Sequence, residues 1–140
     1  MGLKPYYLGD TSALARRQLP EVAARLDPLL EAGLVARCTL TDLEGGFSSP
    51  SPADHKRMRG DRAAWPLAAM DQRILDRALE VQDALAERSQ QRGAKIADLL
   101  IAAAAEPAGL VVLHYDHDFE LIASVTGQPV EWIVPAGSVA

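Results

Sequence analysis

The spacing of apolar and polar positions changes several times along the chain, and each change predicts an element. Tyr6-Tyr7-Leu8-Gly9 is a short β-prone run, and Asp10-Thr11-Ser12 after it are helix-capping types, so a strand-to-helix switch falls at Asp10. Pro20 suits a helix first turn. Val22, Ala23, Leu26, Leu29 and Leu30 then repeat at helical spacing until Gly33 supplies a stop. Leu34 to Thr39 reads as a second strand. Thr41 and Glu44 have the spacing of a capping box, which predicts another helix start. Ser48 to Pro52, SSPSP, breaks or bends that helix, and Asp54 to Ala64 resumes a polar helical pattern until Pro66 interrupts.

Ile74, Ala78, Val81 and Leu85 step by four, three and four, placing one apolar stripe on a helix that stops by Gly93. Ile96 to Ala105 is apolar on every face except at Asp98, the pattern of a short helix packed in the middle of a domain. Leu110 to Leu113 is a buried-type strand, Asp118 to Ser124 a short helix and Val130 to Val134 a closing strand. The alternation predicts an α/β fold with a mainly parallel sheet covered by helices, in one domain over residues 1–140. Met58, Trp65, Leu67 and Met70, with Leu29 and Leu30, give the helical layer more large apolar side chains than one side of a small sheet covers, so part of it is expected to stay exposed.

Composition narrows the class. Apolar residues are 49% and charged residues 24% of 140, which excludes disordered and fibrous chains. No run is long and apolar enough to span a membrane, and no secretory leader pattern opens the chain. The single cysteine, Cys38, lies among apolar neighbours and is expected to be a buried thiol in a reducing cytoplasm. The net charge of −5 speaks against a broad basic surface. Setting aside four clustered carboxylates, however, leaves fifteen acids against fourteen bases, with Lys56, Arg57, Arg59 and Arg62 grouped and Arg73, Arg77, Arg88 and Arg92 recurring after them.

Ligands of open α/β sheets sit beyond the carboxyl ends of the strands, and four acids are predicted to reach that edge. Asp10 directly follows the first strand and Asp116 the third. Glu44 opens the helix after the second strand, and Asp98 opens the helix that returns antiparallel into the third. Each has a plainer role: Asp10 as a helix cap, Glu44 as the arm of a capping box, Asp98 as a helix-dipole charge and Asp116 as the start of a turn before the last helix, with Asp118 as that helix's N-cap. Asp98 fits its plainer role worst, because an unpaired charge in an apolar helix costs several kcal/mol. Converging acids without matching bases repel unless a cation fills the space, and all-oxygen ligation favours Mg²⁺ or Mn²⁺. One or two such ions can activate water and polarise a phosphoryl centre, so phosphodiester hydrolysis is the expected chemistry. His114 and His117 flank Asp116 but lack metal-binding helix spacing; His114 is expected to pack in the core and His55 to be solvated. Tyr6, Tyr7 and Trp132 are read as core residues of strands.

The segments LGDTSAL, LTDLEGGFSS, RGAKIADLLIAAAA, LHYDHDFELIA and WIVPAGS, spread nearly end to end, resemble a PIN-domain protein, and within that group a VapC-type toxin of bacterial toxin–antitoxin pairs. The resemblance implies a three-layer α/β/α PIN-like fold with an inserted helical pair, Mg²⁺- or Mn²⁺-dependent endoribonuclease activity that inhibits translation, a homodimer, and neutralisation by a cognate VapB-type antitoxin. It matches Asp10, Glu44, Asp98 and Asp116 to the acidic quartet, Asp118 to a frequent fifth acid, and Thr11 and Ser12 to small polar residues beside the first aspartate. Ala136 stands where a basic residue is common, and Gly45-Gly46 is expected to loosen the helix carrying Glu44. Arg73 and Arg77 are the expected phosphate contacts. The alternatives are a catalytically silent PIN-like regulator and a receiver-type phosphotransfer domain, the latter disfavoured because it needs paired acids after the first strand and a lysine near a late one.

Overall fold

The computed structural model describes residues 4–140. Among these residues four strands, β1 (Tyr7–Gly9), β2 (Val35–Ala36), β3 (Val111–His114) and β4 (Val130–Trp132), form a sheet in the order β2-β1-β3-β4. Every pairing is parallel, with Gly9 opposite Leu113 and His114 opposite Trp132. Parallel pairing forces each connection to cross a face of the sheet, and the crossovers supply the helices.

Helices α1 (Thr11–Leu14) and α2 (Pro20–Glu31) cover one face, burying Ala13, Leu14, Val22 and Leu26 against Val35, Leu113 and Ile133. On the other face α5 (Gln72–Ala86), α6 (Ile96–Ala105) and α7 (Asp118–Thr126) enclose the larger core around Leu8, Val112, Phe119 and Ile122. The predicted stripe Ile74, Ala78, Val81 and Leu85 is the buried face of α5, and Asp71 caps this helix by accepting from the Ile74 amide at 3.2 Å. Helix α6 is buried along nearly its whole length. Its run Ala102 to Ala105 lets it approach both sheet and neighbouring helices closely, as an element in the middle of a layer must. The remaining helices, α3 (Thr39–Phe47) and α4 (Pro52–Arg62), pair with each other beside the sheet as the inserted pair.

Some boundaries move. The second strand is two residues long, not six, because α3 begins at Thr39 with Cys38 as its N-cap. Thr41 therefore sits inside the first turn, its hydroxyl donating to the Cys38 carbonyl at 2.8 Å and accepting from the Cys38 amide at 3.2 Å. The capping box predicted between Thr41 and Glu44 does not form, and Glu44 is free for another partner. Helix α4 stops at Arg62, so Trp65 and Met70 fold back onto the two cores, as Leu29 and Leu30 do. Of the six apolar residues expected to crowd the helical layer, Leu67 is the large one left exposed; elsewhere among the described residues Leu43, Phe47, Leu75, Leu79, Ile96 and Tyr6 are exposed. Tyr6 lies before β1, not within it.

Candidate metal centre

The parallel register decides what meets at the strands' carboxyl edge. Because Gly9 pairs with Leu113, the residues after β1 and β3 emerge side by side, and the Asp10 amide donates to the Leu113 carbonyl at 2.9 Å. Asp10 caps α1 through one oxygen only: Oδ2 accepts from the Ser12 amide at 2.9 Å and from the Ser12 hydroxyl. That hydroxyl in turn accepts from the Tyr115 amide at 2.8 Å, so Ser12 fastens the two strand ends together. Oδ1 of Asp10 is buried and has no hydrogen-bond partner. The cap and the candidate ligand are two oxygens of one carboxylate.

Asp98 enters in the first turn of α6, 6% exposed, and its Oδ2 is likewise buried without a hydrogen-bond partner. Asp116 follows β3; its Oδ1 accepts from the Asp118 amide at 2.9 Å, and its own amide donates to His114 Nδ1 at 3.1 Å. Asp118 is the first residue of α7 and caps nothing with its side chain; Oδ2 accepts instead from the Lys95 amide at 3.0 Å. Oxygens of Asp98, Asp116 and Asp118 all lie within 4.8 Å of one another. Glu44 reaches the same edge from the second turn of α3 and is held by the Thr11 hydroxyl, which donates to Oε1 at 2.7 Å.

The charges feel one another. Burial, then the neighbouring carboxyls of Asp118, Asp10 and Asp116, push Asp98 up to about 8 against the pull of Lys95. Burial also raises Asp10, with Glu44 adding repulsion that the Ser12 hydrogen bonds oppose. Burial works to raise Asp118 too, but bonds from Lys95 hold it below the ordinary carboxylate range. The Lys95 ammonium lies 2.8 Å from Asp116, 2.8 Å from Asp118 and 3.5 Å from Asp98. Asp98, Asp116 and Asp118 thus share one lysine, with Asp10 and Glu44 adding to the negative charge around them. Two buried oxygens without hydrogen bonds in an all-oxygen, strongly anionic pocket are what a hard divalent cation satisfies, so the donor set fits Mg²⁺ or Mn²⁺.

Thr11 and Ser12 are accordingly in the site, but their hydroxyls are committed to Glu44 and Asp10. Arg73 and Arg77 are not in it. Arg77 is bound to Glu106 at 2.7 Å, at the far end of α6 and about 12 Å along its axis from Asp98, and Arg73 pairs with Asp71. His114 packs fully buried between Phe119 and Trp132, and burial lowers it to about 4, so it is a neutral core residue as expected. Lys95 is the residue that sequence reasoning missed. The signal was a lysine at the N-cap of α6, where helix polarity and capping both favour the opposite kind of side chain. A second omission is the buried Asp42, paired with the half-buried Arg37 at 2.6 Å and joined by Arg62, which also donates to the Thr41 carbonyl at 2.7 Å. Gly45 is explained by it: a Cβ there would stand 2.9 Å from the Arg62 guanidinium.

Fold and site together define an α/β/α protein of PIN type with a polycarboxylate centre at the open edge of its sheet. No family model matches the chain. It is 52% identical over 139 residues to Ribonuclease VapC51 of Mycobacterium tuberculosis, covering 99% of each chain. It is 48% identical over 133 residues to Ribonuclease VapC21 of the same species, covering 94% of this chain and 96% of the relative. Among solved structures, DNA-bound VapBC from Salmonella typhimurium superposes with a TM-score of 0.73 at 16% identity, covering 93% of this chain and 99% of that one. A toxin–antitoxin complex from Klebsiella pneumoniae superposes at 0.68 with 19% identity, covering 91% and 98%. The chain belongs to the VapC ribonuclease family.

Proposed function

We propose that this chain is a divalent-metal-dependent endoribonuclease, using Mg²⁺ or Mn²⁺, that acts in the cytoplasm as the toxin of a toxin–antitoxin pair and inhibits translation by cutting RNA. The observation that carries the reading is the pair of buried oxygens on Asp10 and Asp98 that accept no hydrogen bond, inside a cluster of acids, in a chain so close to proteins named ribonuclease. Asp10, Asp98, Asp116 and Asp118 would hold the metal, which when bound supplies a Lewis acid and an activated water. Thr11 orients Glu44 at the rim, where its carboxylate can accept a proton from water. Ser12 fixes Asp10 and the turn at Tyr115, keeping the acids in place before substrate arrives.

Solved relatives of the same fold are toxin–antitoxin complexes, which supports a VapB-type antitoxin as the partner here. Two exposed apolar surfaces, Leu43 and Phe47 on α3 and Leu75, Leu79 and Ile96 across α5 and α6, offer room for that antitoxin and for a second copy of the chain. The test is cleavage of RNA by purified protein with Mn²⁺, with EDTA, and by an Asp98→Asn variant. Activity confined to the metal-supplied wild type is expected. Absence of cleavage by well-folded, metal-loaded protein would return the chain to the silent-regulator alternative.

A further inference from the structure

We propose that Lys95 is a tethered cation that keeps the place of the divalent ion, so that loading the centre requires its ammonium to leave. The inference rests on the metal-centre reading above and adds what sets the affinity. Three facts place the ammonium where an ion would go. Its Nζ contacts Asp116, Asp118 and Asp98, the same three residues whose oxygens converge within 4.8 Å. Its backbone amide bonds to the same Asp118 oxygen as its ammonium, so the residue is anchored at both ends on one carboxylate. Its side chain is 64% exposed, so it closes the pocket from the solvent side, whereas the oxygens of Asp10 and Asp98 that accept no hydrogen bond lie buried beneath.

The compensation is incomplete by construction. An ammonium has three donors and a single charge; here it bonds Asp116 and Asp118, meets Asp98 only at 3.5 Å, and leaves Asp10 Oδ1 without a partner. A divalent cation brings twice the charge and draws carboxylate oxygens to about 2.1 Å. The ammonium and the ion cannot both sit between Asp116 and Asp118, because two cations within van der Waals distance repel strongly in a partly buried pocket. Exchange is therefore one for the other. The lysine stem is long and its outer part is already in solvent, so the ammonium can swing out without disturbing α6.

Two measurements on the full chain, stripped with EDTA and back-titrated with Mn²⁺ alone, test this. Calorimetric titration should show that Lys95→Met binds Mn²⁺ about tenfold or more tightly than wild type, since a competing positive charge has gone, while Lys95→Arg stays near wild type. Equal or weaker binding by Lys95→Met would overturn the proposal, because a lysine that merely orders the acids lowers affinity when removed. Acetylation by an activated ester, read by mass spectrometry, follows the lysine itself, with exposed Lys56 as internal reference. Lys95 should react more slowly than Lys56 without metal and approach its rate as Mn²⁺ saturates. A Lys95 rate that is unchanged or slowed by Mn²⁺ would likewise sink the idea. If neither wild type nor Lys95→Met binds Mn²⁺, the metal centre itself is refuted and the placeholder with it; if both bind and Asp98→Asn does not, the site stands and the comparison decides Lys95 alone.

Discussion

Asp98→Asn should make the metal-free protein more stable, and the gain should depend on pH in a direction fixed by the site. Asp98 is 6% exposed, its Oδ2 has no hydrogen-bond partner, and three other carboxylates press on it against one lysine. It is held up to about 8, above the value of about 4 that an aspartate has in the unfolded chain. A carboxyl raised in the native state is bound more tightly to its proton there. Its contribution to stability is thus whole below about pH 4 and is lost as pH rises toward about 8. Across that window each pH step costs wild type at most about 1.4 kcal/mol. Proton sharing with Asp118 and the solvent-facing mouth reduce the total, to about 2 to 4 kcal/mol. Asn keeps the volume of the protonated form and has no charge to lose. At pH 8.5 in EDTA the variant should therefore melt about 6 to 12 °C higher, with the advantage fading near pH 4.5. Excess Mn²⁺ should reverse the order, because an ion present at about a thousand times its Kd stabilises only the form that binds it, by about 4.1 kcal/mol. Scanning calorimetry at pH 4.5, 6.5 and 8.5, with and without Mn²⁺, reads all of this. A variant less stable than wild type at pH 8.5, or a gain that stays flat with pH, would refute the electrostatic account of the site.

Other consequences are more local. Thr11→Val removes the 2.7 Å hydrogen bond to Glu44 and should cut the cleavage rate about tenfold, with unchanged Mn²⁺ affinity; equal loss of metal binding would mean that Thr11 supports the centre as a whole. Gly45→Ala should destabilise by about 1 to 2 kcal/mol, since the Arg62 guanidinium 2.9 Å away is pinned by Asp42 and the Thr41 carbonyl. Gly46→Ala, whose neighbour is the ring of exposed His55, should cost nothing or stabilise by about 0.5 kcal/mol through helix propensity; denaturant unfolding of both variants checks the contrast, and equal effects would refute it. Neutralising Arg73 and Arg77 together should leave the salt dependence of RNA binding unaltered, because both are paired away from the acids; a shallower slope would show that RNA crosses that face.

What the sequence determined by itself was whatever depends on local periodicity and on residues adjacent to strand ends. The α5 stripe, the apolar α6 with its single acid, and the parallel β-α alternation all follow from spacing, because burying an apolar face is a property of the element that carries it. Asp10, Asp98 and Asp116 were legible for the same reason: a residue just past a parallel strand, or opening the helix that returns to it, has one edge of the sheet to occupy. Glu44 reaches the expected edge, but through a different local contact. Its spacing from Thr41 resembles a capping box, yet the helix start slipped back to Thr39, and its partner became Thr11, thirty-three residues away in the chain. Only the tertiary structure decided such pairings. It brought Lys95 from the rim of α6 onto Asp116 and Asp118, drew Arg62 from α4 into the space above Gly45, and turned Arg77 toward Glu106. Charged side chains on long stems choose partners by distance in space and by the cost of leaving a buried charge unpaired, and neither is encoded by any period along the chain.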